Sequence, residues 1–411
     1  MSLSSLLTLL LEESLLQGRV IPRGRHDLKS RSEYNSFMQN HTFFRVISTS
    51  LILLGLQMSD ADAQRIRSPE VNHDGTVTLR LKSENAGTVT AKIGGTDLPL
   101  TKDSHNVWAV TTETLPPGIH DYSFDVDGTR MIDPSNRNVK KWFSLASMVE
   151  VPGDPPLLTE FQEVPHGVVQ RLIYPSISVG HSRPVIVYTP PGYHAAATQN
   201  FPLVVLLHGF GDDEAAWTEV GRAHLIADNL IATRKIRTCI IAMPFGHPLP
   251  PPYNDRSDDY SPNNADLYEK DIISDLLPFL ENRFRLQTDV ANRSIVGLSM
   301  GGGHAIDTGL KNIETFSAIG AFSAAAPQLE TDDLLQKYPA LTGPDPAANK
   351  LRHFWIPIGD EDFLLKRNDR FVGQLAAAGV AHNYIKTSGG HQWNLWRQYL
   401  PEFLQMAVPA D

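Results

Sequence analysis

A G-x-S-x-G motif at residues 297–301 is the sequence feature that most constrains the fold of this chain. It directly follows an apolar strand pattern at residues 294–296 and precedes a helix-compatible run at residues 302–310. A serine between a strand and a helix must occupy a tight, strained turn, and flanking glycines let neighbouring backbone approach closely. The turn also places backbone N–H groups at a helix N-terminus, where negative charge is favoured. The motif therefore predicts an exposed serine, Ser299, at the carboxyl end of a strand in an α/β sheet.

The rest of the chain from residue 167 supports this class of fold. Short apolar runs alternate with segments of helical periodicity, such as residues 267–284 and 371–378. The middle runs are nearly continuous in hydrophobicity, as expected for strands buried on both faces. Residues 167–411 are therefore predicted to form a doubly wound α/β domain with a mostly parallel sheet. The predicted strands are residues 185–188, 203–207, 239–243, 294–296, 353–358 and 383–387.

The segment before this domain has a different periodicity. Residues 76–81, 89–93, 107–110 and 122–126 alternate between apolar and polar side chains, and Gly- or Pro-rich breaks separate them. This pattern predicts a small all-β, immunoglobulin-like sandwich over residues 64–150. A linker is predicted at residues 151–166, which begin with the proline-rich stretch VPGDPP. Trp108 is expected in the core of the sandwich, because it lies on an alternating strand.

The first 63 residues carry the pattern of an exported protein. Residues 38–45 are weakly cationic, residues 46–56 are apolar, and an A-x-A site ends at Ala63. This order predicts a signal peptide at residues 38–63 and a secreted or periplasmic protein. Eleven apolar residues are too few to cross a bilayer of about 30 Å, so no stable membrane anchor is expected. Residues 1–63 are assigned to an upstream extension plus this signal, and one hypothesis places the true start of translation at Met38.

Composition limits the partners of the chain. It has 36 Lys and Arg against 46 Asp and Glu, a formal net charge of −10. Nucleic acid is not an expected partner, because phosphate binding requires clustered cations. The single cysteine, Cys239, excludes an intrachain disulfide and any multi-cysteine metal site. No cofactor or metal is expected.

Ser299 requires a base, because a serine hydroxyl is a weak nucleophile at neutral pH. His391 is the strongest candidate, since it lies in a glycine-rich loop just after the last predicted strand. The acid that orients it should follow the preceding strand, where Asp360, Glu361 and Asp362 are all available. This gives the order Ser, acid, His that is typical of α/β-hydrolases. Spacing alone leaves the three acids open.

A second glycine-rich loop, residues 206–211 (LLHGFG), ends an earlier buried strand. In such folds this loop donates one oxyanion N–H, and the residue after the nucleophile donates the other. These donors are assigned to the backbone N–H groups of Phe210 and Met300. His208 is expected to order the loop through hydrogen bonds to backbone rather than to act as a base.

Four stretches carry a resemblance to a known family. The second domain resembles the esterase-D-like α/β-hydrolases, in particular the feruloyl and acetylxylan esterases of carbohydrate esterase family 1, over residues 167–407. The resemblance implies an α/β-hydrolase fold, and the G-x-x-D acid position of the family falls on Asp362. Siderophore esterases, S-formylglutathione hydrolases and mycolyltransferases share much of the pattern. The stretches are residues 188–193 (YTPPGY), 206–214 (LLHGFGDDE), 297–302 (GLSMGG) and 389–396 (GGHQWNLW).

The all-β segment resembles early-set sandwiches related to family 48 carbohydrate-binding modules, at residues 68–71, 115–124 and 133–136. This resemblance implies a sugar-binding surface, although a spacer or lid for the second domain is an equal alternative. Together the two resemblances imply a secreted serine esterase that cleaves feruloyl or acetyl esters of polysaccharide or oligosaccharide by two-step acyl transfer.

Two alternatives remain open at this point. One is a siderophore esterase, which the acidic composition opposes, because a polyanionic substrate favours a cationic pocket. The other is a carbohydrate-binding protein with a degenerate hydrolase domain, which the complete Ser, Asp and His set opposes. Three tryptophans could flank an aromatic acyl pocket, but packing roles are favoured for all of them. They are Trp217, Trp393 and Trp396.

Overall fold

The structure is a computed structural model, and it describes residues 66–142, 144–250, 260–329, 333–341 and 351–410. The predicted signal peptide and its upstream extension lie outside the described residues. Ile66–Asp411 form one compact unit. Within the described ranges, no helix has the length and apolar character needed to cross a bilayer.

The first part of this unit is all-β, as predicted. Its strands are β1 (Glu70–Val71), β2 (Val77–Lys82), β3 (Val89–Ile93), β4 (Thr96–Pro99), β5 (Thr101–Lys102), β6 (Val107–Thr111), β7 (Gly118–Val126), β8 (Thr129–Met131), β9 (Val139–Lys140) and β10 (Ala146–Val151). They form two antiparallel sheets, one ordered β1-β2-β6-β5 and the other β4-β3-β7-β10-β9, with β8 paired to β7. We call residues 66–151 the all-β region; its immunoglobulin-like and early-set identity stays a prediction.

Alternation along these strands builds the core of the all-β region. In β2, Val77, Leu79 and Leu81 are buried, and in β3 every second residue is buried. Trp108 lies in this core as predicted, and its indole N–H donates to the Ser83 carbonyl at 3.0 Å. The bond satisfies the one polar group of a side chain that is otherwise apolar.

The second part, residues 168–410, contains an eight-stranded mixed sheet within the described ranges. Its strands are β11 (Val168–Ser176), β12 (His181–Thr189), β13 (Leu203–Leu207), β14 (Ile240–Pro244), β15 (Arg293–Leu298), β16 (Ala318–Phe322), β17 (His353–Gly359) and β18 (Asn383–Thr387). Their order is β11-β12-β14-β13-β15-β16-β17-β18. We call this part the α/β region.

The sheet is mostly parallel, as predicted, since five of its seven strand pairings are parallel and two are antiparallel. β13 pairs in parallel with β14 and β15, and β15, β16, β17 and β18 continue in parallel, whereas β12 pairs antiparallel with both β11 and β14. The four residues between β11 and β12 are too few for the crossover that parallel strands require, so these two strands form a hairpin. The result is an α/β-hydrolase-like fold with a mixed sheet.

Helices cover both faces of the sheet. They are α1 (Ala216–Glu219), α2 (Ala223–Ala232), α3 (Tyr260–Lys270), α4 (Leu277–Arg283), α5 (Met300–Lys311), α6 (Asp333–Lys337), α7 (Leu365–Ala377) and α8 (Trp393–Ala407), with a π-helical segment at Asp271–Leu276 and 3₁₀ turns at Val290–Asn292 and Pro339–Leu341. Alternate residues of β13 pack into two separate cores: Leu203 and Val205 on the side of α5 and α7, Val204 and Leu206 on the side of α2 and α8. Because helices cover both faces, the loops that follow the carboxyl ends of the parallel strands are where a site can form.

The two regions share part of their apolar packing. Ile119 of β7 and Met148 of β10 belong to the same buried cluster as Ala216 and Val220, which follow β13. Arg222 of this part of the chain lies 3.8 Å from Glu150 of β10. The all-β region is therefore packed against the segment that follows the glycine-rich loop of residues 206–211.

Candidate active site

Ser299 occupies the turn between β15 and α5. Its backbone has φ 52° and ψ −116°, a conformation that residues with a side chain rarely adopt. A Cβ atom on Gly297 would lie 2.5 Å from the Gly301 backbone, and one on Gly301 would lie 2.5 Å from the His208 carbonyl oxygen. Both motif glycines are thus required by close backbone contacts, and the turn projects the Ser299 side chain away from the sheet.

His391 connects Ser299 to a carboxylate. Its Nε2 atom lies 3.0 Å from Ser299 Oγ, and its Nδ1 atom lies 2.8 Å from Asp362 Oδ2. Because an ionised carboxylate only accepts hydrogen bonds, Nδ1 carries the proton and Nε2 is left to accept the Ser299 hydroxyl. The three side chains come from three separate loops, so the fold brings together residues up to 92 positions apart in sequence.

The carboxylate that binds His391 is that of Asp362 rather than that of Asp360 or Glu361. Burial raises the pKa of Asp362, but hydrogen bonds from His391 and from the Leu364 N–H outweigh burial and set that pKa below its ordinary value. Asp362 is therefore ionised at neutral pH. Asp360 Oδ1 instead accepts the Gly389 N–H at 3.0 Å, which ties together the loops of the acid and the base.

His208 orders the glycine-rich loop after β13, as expected. Its Nε2 accepts the Gly246 N–H at 2.7 Å, so its Nδ1 carries the proton and donates to the Gly209 carbonyl at 2.8 Å. Burial lowers the pKa of His208 to about 4, so the ring is neutral at pH 7. A base at this position would need a free ring nitrogen, and both nitrogens of His208 bond to backbone.

The two expected oxyanion donors, Phe210 and Met300, belong to segments that adjoin Ser299. Met300 is the first residue of α5, directly after the serine. Phe210 follows Gly209, and a Cβ atom added to Gly209 would lie 3.6 Å from Ser299 Cβ. In a trans peptide the C=O and N–H groups point in opposite directions. Since His208 binds the Gly209 C=O, it directs the Phe210 N–H away from itself.

Aromatic side chains pack around the base. Trp396 meets the His391 ring edge-to-face at 4.9 Å, and Phe363 lies 4.5 Å from the same ring and is 75% exposed. Trp217 and Trp393 contact each other at 5.0 Å and are buried, as is Trp396. The three tryptophans therefore have the packing roles that the sequence favours, whereas the exposed aromatic next to the base is Phe363.

Several residues near the site were not predicted. The Trp142 indole N–H of the all-β region donates to the Phe210 carbonyl at 2.7 Å. Asp212 is buried beside Gly209, and burial raises the pKa of Asp212 to about 7. Asp212 could have been found from the sequence, because it is a carboxylate within the family-resembling stretch of residues 206–214. Trp142 could not have been, since it reaches its partner across 68 residues and lies outside the alternating strands.

The described residues contain no group of three or more His, Cys, Asp or Glu side chains arranged to hold a metal ion. Cys239 is buried with a free thiol, and burial raises its pKa to about 12. This thiol is therefore protonated at neutral pH and is no rival nucleophile to Ser299.

The model of the Esterase family, described as "Putative esterase", matches residues 176–406, more than half of the chain. The chain belongs to the Esterase family. This confirms the predicted resemblance to esterases for the α/β region. The comparison does not extend to the all-β region before residue 176.

Relatives of known structure or function are also similar to the chain. An endo-1,4-beta-xylanase/feruloyl esterase from Xylanibacter ruminicola is 29% identical over 348 residues, which cover 82% of this chain and 45% of that protein. The chain thus spans about half the length of this curated relative. A ferulic acid esterase structure is 26% identical, with a TM-score of 0.50, and covers 59% of this chain and 98% of its own.

A second group of structures shares the fold over a longer stretch. The enterochelin esterase from Shigella flexneri has a TM-score of 0.59 at 17% identity, and covers 85% of this chain and 97% of its own. At this identity the likeness shows a common fold alone.

Proposed function

We propose that this protein is a secreted serine carboxylic ester hydrolase that cleaves feruloyl or acetyl esters on plant-type polysaccharide or on related small esters. The observation that carries this proposal is the hydrogen-bonded set Ser299–His391–Asp362, with distances of 3.0 and 2.8 Å, at a turn where Ser299 has a positive φ. These are the parts that acyl transfer by a serine nucleophile requires.

In the first half of the reaction, His391 Nε2 accepts the Ser299 proton while Ser299 Oγ attacks the ester carbonyl carbon. The carbonyl oxygen becomes negatively charged and is held by the N–H groups of Phe210 and Met300. The proton on His391 then passes to the departing alcohol as its bond to the carbonyl carbon breaks. The products of this half are a free alcohol and an acyl group on Ser299.

In the second half, His391 removes a proton from water, and the resulting hydroxide attacks the acyl group. The bond to Ser299 breaks, the serine regains its proton from His391, and the acid is released. Throughout both halves, Asp362 keeps the His391 proton on Nδ1 and stabilises the transient positive charge on the ring.

The substrate class is supported by the two relatives named for feruloyl and ferulic acid esters, at 29% and 26% identity. The siderophore esterase alternative is supported by less, because the enterochelin esterase structure, at 17% identity, shares only the fold with this chain. The net charge of −10 also disfavours an anionic siderophore as substrate. Export is proposed on the signal-like order of residues 38–63, and a sugar-binding role of the all-β region on its early-set resemblance.

The first experiment compares Ser299→Ala with Ser294→Ala, which changes a buried serine of β15, the strand that precedes Ser299. With p-nitrophenyl acetate, Ser299→Ala should lower kcat by about 10⁵-fold or more, and Ser294→Ala should stay within about threefold of the unchanged protein. Substantial turnover by Ser299→Ala would contradict the proposal. Assays of the unchanged protein on methyl ferulate, acetylated xylan and a catecholate siderophore then test the substrate; preference for the siderophore would refute the polysaccharide assignment.

A further inference from the structure

We propose that Trp142 of the all-β region is a positioning residue of the oxyanion hole. Its indole N–H donates to the Phe210 carbonyl at 2.7 Å, although the two residues belong to different regions of the molecule. The inference rests on the proposed function, because it takes the Phe210 N–H as an oxyanion donor. It assigns to the all-β region a part in the chemistry itself.

The bond matters because of where Phe210 lies in its loop. Glycines flank it on both sides, and Gly211 has φ +86°, so the loop has little conformational preference of its own. A fixed donor direction therefore has to come from groups outside the loop. Preorganised donors stabilise a transition state because they need no reorganisation during the reaction.

Three side chains hold the two peptide planes that meet at Phe210. His208 binds the Gly209 carbonyl, which shares its plane with the Phe210 N–H. Trp142 binds the Phe210 carbonyl at 2.7 Å, and the Gly211 N–H of the same plane donates to His247 Nε2 at the longer distance of 3.4 Å. With both planes held, the φ and ψ angles of Phe210 are fixed, and so is the direction of its N–H. His208 and His247 act from within the α/β region, and Trp142 acts from outside it through the shorter of the two bonds to the second plane.

Trp142 is itself held in place by the contact between the regions. The neighbouring Lys141 Nζ lies 3.0 Å from Glu219 of α1 and 3.6 Å from Asp213, which is two residues after Gly211. On the other side of this contact, Ile119 and Met148 are buried with the residues of α1 and α2. The indole is half-exposed, so its edge binds the loop while part of its ring faces solvent.

The test is Trp142→Phe, which removes the indole N–H and keeps an aromatic ring. The matched control is Trp108→Phe, because the Trp108 indole N–H also donates to a backbone carbonyl of the all-β region, at 3.0 Å, but far from the loop in that region's own core. For Trp142→Phe we expect kcat to fall about 3- to 10-fold with KM within twofold. The affinity for a boronic acid that mimics the tetrahedral intermediate should fall by a similar factor.

The size of the substrate separates positioning from sugar contact. Because the loss is in the chemistry, it should be equal for p-nitrophenyl acetate and for a feruloylated oligosaccharide. Trp142→His, which keeps a ring N–H at the corresponding position, should restore most of kcat. Circular dichroism and the thermal midpoint of each variant check that the chain is folded.

Three results would overturn the inference. These are unchanged kcat and boronate affinity in Trp142→Phe, a loss confined to KM for the oligosaccharide, or an equal loss of kcat in Trp108→Phe. Each of them leaves the proposed function intact so long as Ser299→Ala is inactive. Turnover by Ser299→Ala would instead refute the proposed function itself.

Discussion

The all-β region and the α/β region bury their strands in different ways. In β2 and β3 exposed or half-exposed residues interrupt the buried ones, whereas every residue of β13 and β14 is buried. A fully buried strand cannot expose a functional side chain along its length, so the chemistry of the α/β region collects in the loops at the strand ends. Ser299, Asp362 and His391 all follow strands in this way.

The all-β region contributes contacts to the loop of Phe210. It contributes none of the three residues Ser299, His391 and Asp362, yet its segment after β9 reaches the loop that carries Phe210. Its apolar contact with α1 and α2 is part of the same buried cluster as the α/β core. The two regions therefore differ in the side chains that they contribute to the site, but they share one buried apolar cluster.

The largest expected effect is on kcat, and it comes from changing Asp362, the acid of the α/β region that binds His391. Asp362→Asn should lower kcat by about 10³- to 10⁴-fold, because an amide leaves the His391 proton on the wrong nitrogen. Asp360→Asn, the matched control, keeps an oxygen that can accept the Gly389 N–H and should lose less than about tenfold. Steady-state kinetics on p-nitrophenyl acetate measure both, and an equal loss in the two variants would contradict the assignment of Asp362.

The shared packing predicts the next effect. Met148→Ala should lower the free energy of unfolding of the whole unit by about 2–4 kcal/mol, because Met148 is buried between the regions. Met131→Ala changes the same residue type at a position that is 36% exposed, and should cost less than about 0.5 kcal/mol. Urea unfolding followed by both fluorescence and activity measures the loss. Separate transitions for the two probes would show that the regions unfold independently.

A smaller effect is expected on the stability of the fold at acid pH. Burial lowers the pKa of His208, His247 and His304 to about 4, 2 and 3, whereas His73 and His105 of the all-β region are exposed. For a base with a depressed folded pKa, the unfolded chain binds protons first, so stability falls as pH drops below about 6.5. The acid sensitivity of the molecule should therefore originate in the α/β region.

His304→Gln tests this origin, since an amide does not titrate. Between pH 7 and pH 5 this variant should lose up to about 2 kcal/mol less unfolding free energy than the unchanged protein. The buried Asp212 acts in the opposite direction in both proteins, because its raised pKa favours the folded state at lower pH. Urea unfolding at the two pH values gives the difference, and equal losses in the two proteins would exclude His304 as a source.

The features that could be predicted from sequence are those set by local pattern. Continuous apolar runs predicted β13 and β14, and the motif at residues 297–301 predicted the turn at Ser299 because its glycines and serine are adjacent. Strand β16, with the sequence AIGAF, was missed, since alanine and glycine have weak strand preference. β11 was missed because it is an edge strand whose half-buried alternation lacks a continuous apolar run.

The features that could not be predicted depend on contacts between distant segments. The choice of Asp362 over Asp360 depends on how the loop after β17 turns: one carboxylate faces His391 and the other binds the Gly389 N–H. Spacing along the chain does not record that turn, and only the family resemblance pointed to Asp362. The contact of Trp142 with Phe210 likewise depends on the packing between two regions, which no periodicity records.

The proposed role of Ser299 as the nucleophile can be tested by labelling with a fluorophosphonate. The oxygen of an activated serine attacks the phosphorus of such a reagent, fluoride leaves, and the stable phosphonyl ester that remains resembles the tetrahedral intermediate. After incubation and digestion, mass spectrometry should find one adduct per chain, on the peptide that contains Ser299, with loss of activity in proportion to labelling. An adduct on another residue, or full inactivation with Ser299 unmodified, would contradict the account.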